Sequence, residues 1–367
     1  MKKPFRRLAF WLALLTLLAC NQRSVPEEKL RAYLIQMRYA CATSDSLKIP
    51  EPTATAYPRQ RDIYLPIPEQ RIDFLDFFSF RACELQVLIG ERNSAMGRVM
   101  PPSQRLFYEH RFLVEAKKCL EIYRGDSEAD SAMLSGLEDI IARKQSDLPR
   151  VYWNATFGNP GLKTFFAETG QFLPWENPDL LLESAEESLE FLGGIFPVLG
   201  TSTLVLNNEQ LEERFRQVEE AQSGGKLLQS LTLLTLYLDV VSEVLERRIA
   251  LAPLCSEGVP TPEARALYDV FTRHYVGGIQ LYISRVHQAG SRLLTAIEEI
   301  YRPLGDEAPQ AFANWYRENL AINNPQSRWG KFESALRRHT QTWQRVLDSC
   351  GLSPGAERRE TGKAGKP

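Results

Sequence analysis

Apolar residues recur at three- and four-residue spacing through most of the chain, which predicts helices nearly everywhere and strands almost nowhere. Leu30, Tyr33, Leu34 and Met37 share one side of a helix over 27–40. Ile72, Leu75, Phe78, Cys83, Leu85 and Leu88 mark a helix over 69–92, and Leu106, Phe107, His110, Phe112, Leu113 and Leu120 a second over 103–123. Pro101-Pro102 lies in the turn between them. A more polar helix is expected over 129–147, after which Val151-Tyr152-Trp153 leads into a loop broken by Gly158, Pro160 and Gly161.

Pro178 then opens a helix that carries Leu181, Leu182, Ala185 and Leu189 as far as Gly193-Gly194. Phe191 to Asn208 holds no charge, but Gly193, Gly194, Pro197 and Gly200 make it a poor spanning helix, so it reads as a buried bend. Gly224-Gly225 is expected to separate a charged helix over 208–222 from Lys226–Arg248, where Leu227 to Val241 is apolar on nearly every face and must lie centrally. Thr261-Pro262-Glu263 sets a capping hydroxyl, a first-turn proline and an acid at a helix start. That pattern runs to Tyr301, about 60 Å at 1.5 Å per residue, with a kink expected at Gly277-Gly278. Trp329, Phe332, Leu336, Trp343 and Leu347 form the stripe of the last helix.

Residues 49–68 depart from this pattern. Pro50, Pro52, Pro58, Pro66 and Pro68 deny backbone donors and favour extended chain, while Ile63, Tyr64, Leu65 and Ile67 call for a surface to pack on. The expected fold is therefore all-α, a multi-helix bundle of one domain or two packed sub-bundles, wrapped by this proline-rich segment. The helical body covers 27–350, with a candidate sub-boundary near 150–160. Residues 351–367 are small, charged and proline-terminated, the composition of a disordered tail. No fixed internal period of the solenoid kind is present.

The N-terminus carries an address. Lys2, Lys3, Arg6 and Arg7 precede an apolar stretch from Leu8 to Leu18, and Leu17-Leu18-Ala19-Cys20 is followed by the polar Asn21-Gln22-Arg23-Ser24. This is a signal peptide over 1–19, its apolar part about half the roughly 20 residues a spanning helix needs. It resembles a bacterial lipobox, which implies cleavage before Cys20 and lipid attachment to its thiol. A diacylglyceryl thioether plus an N-acyl chain such as palmitate gives multiple-chain anchoring, with residues 20–26 as tether. Asn21 after the cysteine fits sorting to the outer membrane of a Gram-negative cell, facing the periplasm. The alternative is an uncleaved signal anchor with an incidental cysteine.

Export into an oxidising compartment makes the remaining cysteines readable as cross-links. Choosing the leftover among Cys41, Cys83, Cys119, Cys255 and Cys350, then pairing the other four, leaves fifteen arrangements. Cys83 and Cys119 are equidistant from residue 101, so an antiparallel hairpin sets them side by side. Cys255 follows the long apolar helix and Cys350 ends the last one, and a bridge between them would staple two helix ends. Cys41 is then the leftover, free and buried. The competing expectation is that all five are reduced core cysteines.

Charge narrows the function class. Without the four cations of 1–19 the chain carries 40 bases against 46 acids, which argues against a nucleic-acid partner. The sharpest local feature is the turn where Arg92, Arg98 and Arg105 occur with no acid between Asn93 and Tyr108. Guanidinium forks near a helix start suit a carboxylate or phosphate, such as a lipid headgroup or a peptidoglycan carboxylate, unless they pair with Asp62, Glu69, Glu91 or other acids in a solvated loop. An enzyme reading, a peptidoglycan-modifying one, would use Glu91 and His110 as proton carriers. His274, His287 and His339 are single on their helices, which leaves no helical metal site. Ser223-Gly224-Gly225-Lys226 matches a serine-x-x-lysine pattern, but its glycines disrupt the helix start that nucleophile needs, so it reads as a turn. No phosphate-binding loop, zinc-protease or esterase motif occurs, and no cofactor is expected.

At Ile67-Pro68-Glu69-Gln70-Arg71, Arg81-Ala82-Cys83, Glu91-Arg92-Asn93-Ser94, Gly97-Arg98-Val99-Met100 and Gln104-Arg105-Leu106, the sequence resembles an uncharacterised family of proteobacterial lipoproteins. Its closing stretch, with Trp329, His339, Trp343 and Cys350-Gly351, is similar to the same family's end. The resemblance covers nearly the whole mature chain and implies an exported, lipid-anchored helical protein with no assigned activity. The expected function is an envelope interaction module, held to the membrane through its anchor and offering a helical surface to a protein partner. A binding module for an anionic envelope ligand is the second expectation.

Overall fold

The apolar stripes close on one another as helices. The computed structural model describes residues 24–43, 49–50, 52–68, 83–127, 129–256 and 259–353. The leader, Cys20, the first residues of the tether, residues 69–82 of the expected hairpin helix and 354–367 of the tail lie outside them. Within them the helices are α1 (Val25–Ala40), α2 (Gln60–Ile63), α3 (Leu85–Asn93), α4 (Ala95–Arg98), α5 (Pro102–Arg124), α6 (Ser131–Ala155) and α7 (Pro160–Phe165). They continue with α8 (Pro178–Ile195), α9 (Asn208–Ala221), α10 (Ser223–Leu251), α11 (Pro262–Val270), α12 (Gln280–Tyr301), α13 (Gln310–Asn319) and α14 (Arg328–Ser349). The strand content described is one antiparallel pairing of β1 (Cys255–Ser256) with β2 (Val259–Pro260). The fold is all-α.

Helix ends follow local chemistry. Pro26 with Glu27 and Glu28 opens α1, and Thr261 caps α11 by accepting from the Ala264 N–H. Gly351, at φ 64°, closes α14 in the left-handed conformation, with the Leu352 N–H returning to Leu347 O at 2.9 Å. The boundaries differ from expectation in three places. Helix α6 runs through Pro149 to Ala155, so Tyr152 and Trp153 are helical core residues rather than a lead into a loop. The break between α9 and α10 is Gln222, at φ 45°, and Gly224 and Gly225 lie inside the first turn of α10. They are there for contact: a Cβ on Gly225 would lie 2.1 Å from Ala167 O, and one on Gly224 2.5 Å from the Phe165 ring. The Ser223–Lys226 stretch is thus a helix start pressed against the rings of Phe165 and Phe166 and the backbone of Ala167 and Glu168, not a turn. At the third place, the expected kink at Gly277-Gly278 is a π-helical stretch over Phe271–Ile279, joining α11 to α12.

Packing is dominated by α8 against α12, α10 against α14, and α5 against α6. Gly193 lets α8 approach α12 closely, where a Cβ would reach 3.0 Å from Glu299. Helix α10 buries Leu227, Leu231, Leu234, Leu238, Val241 and Leu245, and belongs to one continuous core running from Leu30 to Cys350. The stretch long and apolar enough to cross a membrane includes this helix and is mostly buried within the protein.

The proline-rich segment wraps as expected except that Gln60–Ile63, which holds no proline, closes one helical turn, and the structure shows how its unpaired backbone is satisfied. The Asn154 side chain accepts from the Leu65 N–H at 2.9 Å and donates to Leu65 O at 2.7 Å. Trp153 Nε1 donates to Ile63 O at 2.8 Å, and the Thr55 N–H donates to Glu168 at 2.9 Å. Tyr57 sits among Phe166, Phe312 and Trp315, its hydroxyl donating to Phe157 O at 2.8 Å.

Candidate functional site

The hairpin turn that attracted attention in the sequence is built by α3, α4 and the start of α5. Ser94 caps α4 by accepting from the Gly97 N–H at 3.0 Å, and Arg92 Nη1 donates to the Gly97 carbonyl. Arg105 is bound to Glu109 at 2.5 Å, one helical turn on, and Glu109 also receives Lys144 Nζ from α6 at 2.6 Å. Lys144 lies over the Phe112 ring at 4.4 Å. Burial pulls the Lys144 ammonium below its usual range, Glu109 opposes that, and the positive charges of Arg105 and Arg92 add to the depression. Arg105 and Lys144 thus share one buried carboxylate, within reach of the Arg92 charge, while Arg98 on α4 is exposed. The acid that meets Arg105 is Glu109, so pairing with an acid holds for this arginine, and Glu69 lies outside the described residues.

The two proton carriers of the enzyme reading are not brought together as a reacting pair. Glu91 is exposed and meets Arg111 at 3.3 Å. His110 is buried, and its Nδ1 accepts the Gly200 N–H at 3.1 Å. Burial lowers its pKa, with a hydrogen bond to the Leu204 backbone opposing. Its role is to hold the uncharged 198–204 bend, helped by Lys117 Nζ on Gly200 O at 2.8 Å.

The most connected polar group inside the core was invisible in the sequence. Trp343 Nε1 donates to Tyr33 Oη at 2.8 Å, and Tyr33 Oη lies 3.1 Å from His339 Nε2. His339 Nδ1 lies 3.1 Å from Ser242 Oγ, which donates to Leu238 O at 2.6 Å. Indole can only donate, so the single Tyr33 proton is left for Nε2, and Nδ1–H is left for Ser242. Every member is satisfied with a neutral imidazole. Burial lowers the His339 pKa to about 3, against a smaller raise from the Leu238 backbone. Phe271 and Tyr275 of the π-helical stretch pack onto Trp343 and His339. A serine and a histidine in contact suggest nucleophilic chemistry, but His339 and Ser242 are 0% exposed, and a reacting pair requires access. The group ties α1, α10 and α14 together.

A second buried tie joins Glu168 to Arg328 at 2.8 Å, across 160 positions of sequence. Among the described residues no three His, Cys, Asp or Glu side chains gather as metal ligands. The two cystines are Cys83–Cys119 and Cys255–Cys350, with Cα atoms 5.6 and 5.3 Å apart. Cys41 is free and buried, its thiol pushed up to about 12 chiefly by burial. The open surface offers shallow grooves, one polar, between Glu246, Arg338 and Arg345, and one beside Ser24, Phe172 and Leu181.

These features define a cystine-bridged, all-helical protein with a closed polar core. The family model described as "Protein of unknown function (DUF3080)" matches residues 31–354, and the chain belongs to that family. No curated protein and no solved structure matches it.

Proposed function

We propose that the protein is exported, tethered through acyl chains on Cys20 to the periplasmic face of the outer membrane, and acts there as a helical interaction module for an envelope protein. The observation that carries this reading is the pair of cystines, which join residues 36 and 95 positions apart. Cystines persist in oxidising compartments and are rare in the cytosol. The cationic and apolar leader ending at Cys20 supports the same compartment. The ionisable groups held inside are engaged in ties between helices, so the surface is where recognition is open to a partner. A tether raises the local concentration of that surface, so a weak contact suffices.

Mass spectrometry of the native protein tests the anchor, and in-cell cross-linking tests the partner. Acylated Cys20 with one dominant protein adduct supports the reading. A soluble cytosolic protein with titratable thiols at 83, 119, 255 and 350 rejects it.

The second reading, an anion-binding module at Arg92, Arg98 and Arg105, is favoured by the excess of cations around Glu109. Arg98→Gln and Arg105→Gln together should then remove binding of a phosphate or muramyl carboxylate ligand. Unchanged affinity rejects that site.

A further inference from the structure

We propose that the end of the molecule where α1 begins is the face laid against the bilayer, its occupant being the lipid interface that holds the Cys20 acyl chains. This rests on the tethering reading above. Four residue steps separate Cys20 from Ser24, a reach of about 14 Å at full extension. Ser24 lines a groove of about 580 Å³ with Phe172, Pro174, Leu181 and Lys226. A lipid attached at Cys20 therefore keeps its membrane within that reach of the groove, whereas the tether sets no such limit on the far end of α1.

The lining mixes these apolar residues with Glu27, Gln171 and Lys226, and exposed aliphatic side chains adjoin it in sequence without any need from the fold. Val25 is 50% exposed, Leu180 63% and Leu281 56%. Phe172 and Trp175 are half-buried. Trp175 is rigidly placed, stacking on Tyr282 at 4.9 Å and covering Gly278, where a Cβ would come within 3.2 Å. Leu281 follows one helical turn after Gly278 and precedes Tyr282, on which that indole stacks. The loop itself is fixed, because the Leu173 N–H donates to Ser230 Oγ at 2.9 Å and Leu173 O accepts from Tyr282 at 3.0 Å. Arg285 donates to the Glu176 carbonyl, which sets a cation beside the indole.

A half-buried tryptophan near exposed aliphatic side chains, with Arg285 bonded to the next residue of its loop, suits the water–lipid boundary. Scattered exposed apolar residues are ordinary, and Tyr39 and Val205 are such residues here. Tyr39 lies fourteen residues along α1 from Val25, about 21 Å along the helix axis. What distinguishes the Val25, Leu180 and Leu281 set is its place, at the end from which the tether leaves.

The test uses the native full chain, reconstituted in phosphatidylethanolamine and phosphatidylglycerol vesicles. Photoreactive p-benzoylphenylalanine replaces Leu180, Leu281, Tyr39 or Val205, one at a time. All four side chains are exposed, so each variant should keep the fold. Lipid adducts at 180 and 281 should exceed those at 39 and 205 by about tenfold or more, since only an apposed face reaches acyl and glycerol carbons. Equal yields at the four positions, or greater yields at 39 and 205, overturn the proposal. The intact mass of the same samples reports Cys20. Acylated Cys20 with equal yields removes the face and keeps the anchor. Unmodified Cys20 removes the anchor, and adducts confined to 180 and 281 would still establish the face.

Discussion

His339 sits neutral between Tyr33 and Ser242, and its neutrality couples the fold to acid. Its pKa is about 3 in the folded protein against an ordinary 6.5, so the unfolded chain takes up the proton first. The stabilisation is whole above about pH 6.5 and is lost as pH falls from there toward 3. Between pH 7 and 4.5 the folded protein should lose up to about 3 kcal/mol through this one residue. Urea unfolding of the native chain and of His339→Gln at both pH values checks this, the variant showing the shallower acid loss. Burial depresses His110 in the same direction, so the variant retains part of the slope. At Glu109 the cost comes from unpairing buried charge. Replacing it with Gln strands Lys144 and Arg105 in a buried place, with an expected loss of about 3–5 kcal/mol in chemical denaturation. Lys144→Met should lose less, because Arg105 still pairs the carboxylate and Phe112 can receive a thioether.

Among the elements, glycines separate two situations that look alike in sequence. Gly225 opens α10 with Ala167 O in the space a methyl group would take, whereas Gly136 lies in α6 with nothing within 4 Å of its missing Cβ. Gly225→Ala should lower stability by more than about 2 kcal/mol through backbone displacement. Gly136→Ala should raise it by about 0.5–1 kcal/mol. Thermal melting of the two variants gives opposite signs if the contacts are as described. The wrapping segment depends on single side chains in the same way. Asn154→Ala removes both bonds to Leu65, and hydrogen exchange at the Leu65 amide should rise well before the helices open.

The helical pattern, the cap at Thr261 and the wrapping of 49–68 were legible because each follows from neighbours a few residues apart; the cap at Ser94 and the short α2 were not read from the sequence. The Cys83–Cys119 bridge was legible for a related reason, since a hairpin turns sequence distance from its bend into spatial pairing. Glu109 with Lys144, Glu168 with Arg328, and Tyr33 with His339 were not. Their partners lie 35, 160 and 306 positions apart, and nothing in local spacing selects one buried acid over another. Of the arginine turn, the clustering was readable but not the engagement of Arg105 by Glu109.

At the scale of the whole molecule, the two cystines tie distant parts of the helical chain, one of them at the ends of the α10–α14 pairing. One ties the residues before α3 to α5, and the other ties the end of α10 to the end of α14. Cys83→Ser and Cys255→Ser, made separately, should each lose about 2–4 kcal/mol by denaturant midpoint, mainly through a freer unfolded chain. Cys41, buried with its thiol raised to about 12, should stay unreactive toward alkylating reagents until unfolding, which counting thiols with and without denaturant reads directly. By itself the sequence determined that the chain is helical, where most helices begin and end, and which segment is extended, because periodicity, capping and proline act over one or two turns. The choice of which helices meet, which ionisable groups are buried together, and which apolar residues remain exposed beside Ser24 belonged to the tertiary structure. Burial and ion pairing are properties of neighbours in space, and in a bundle those neighbours come from anywhere in the chain.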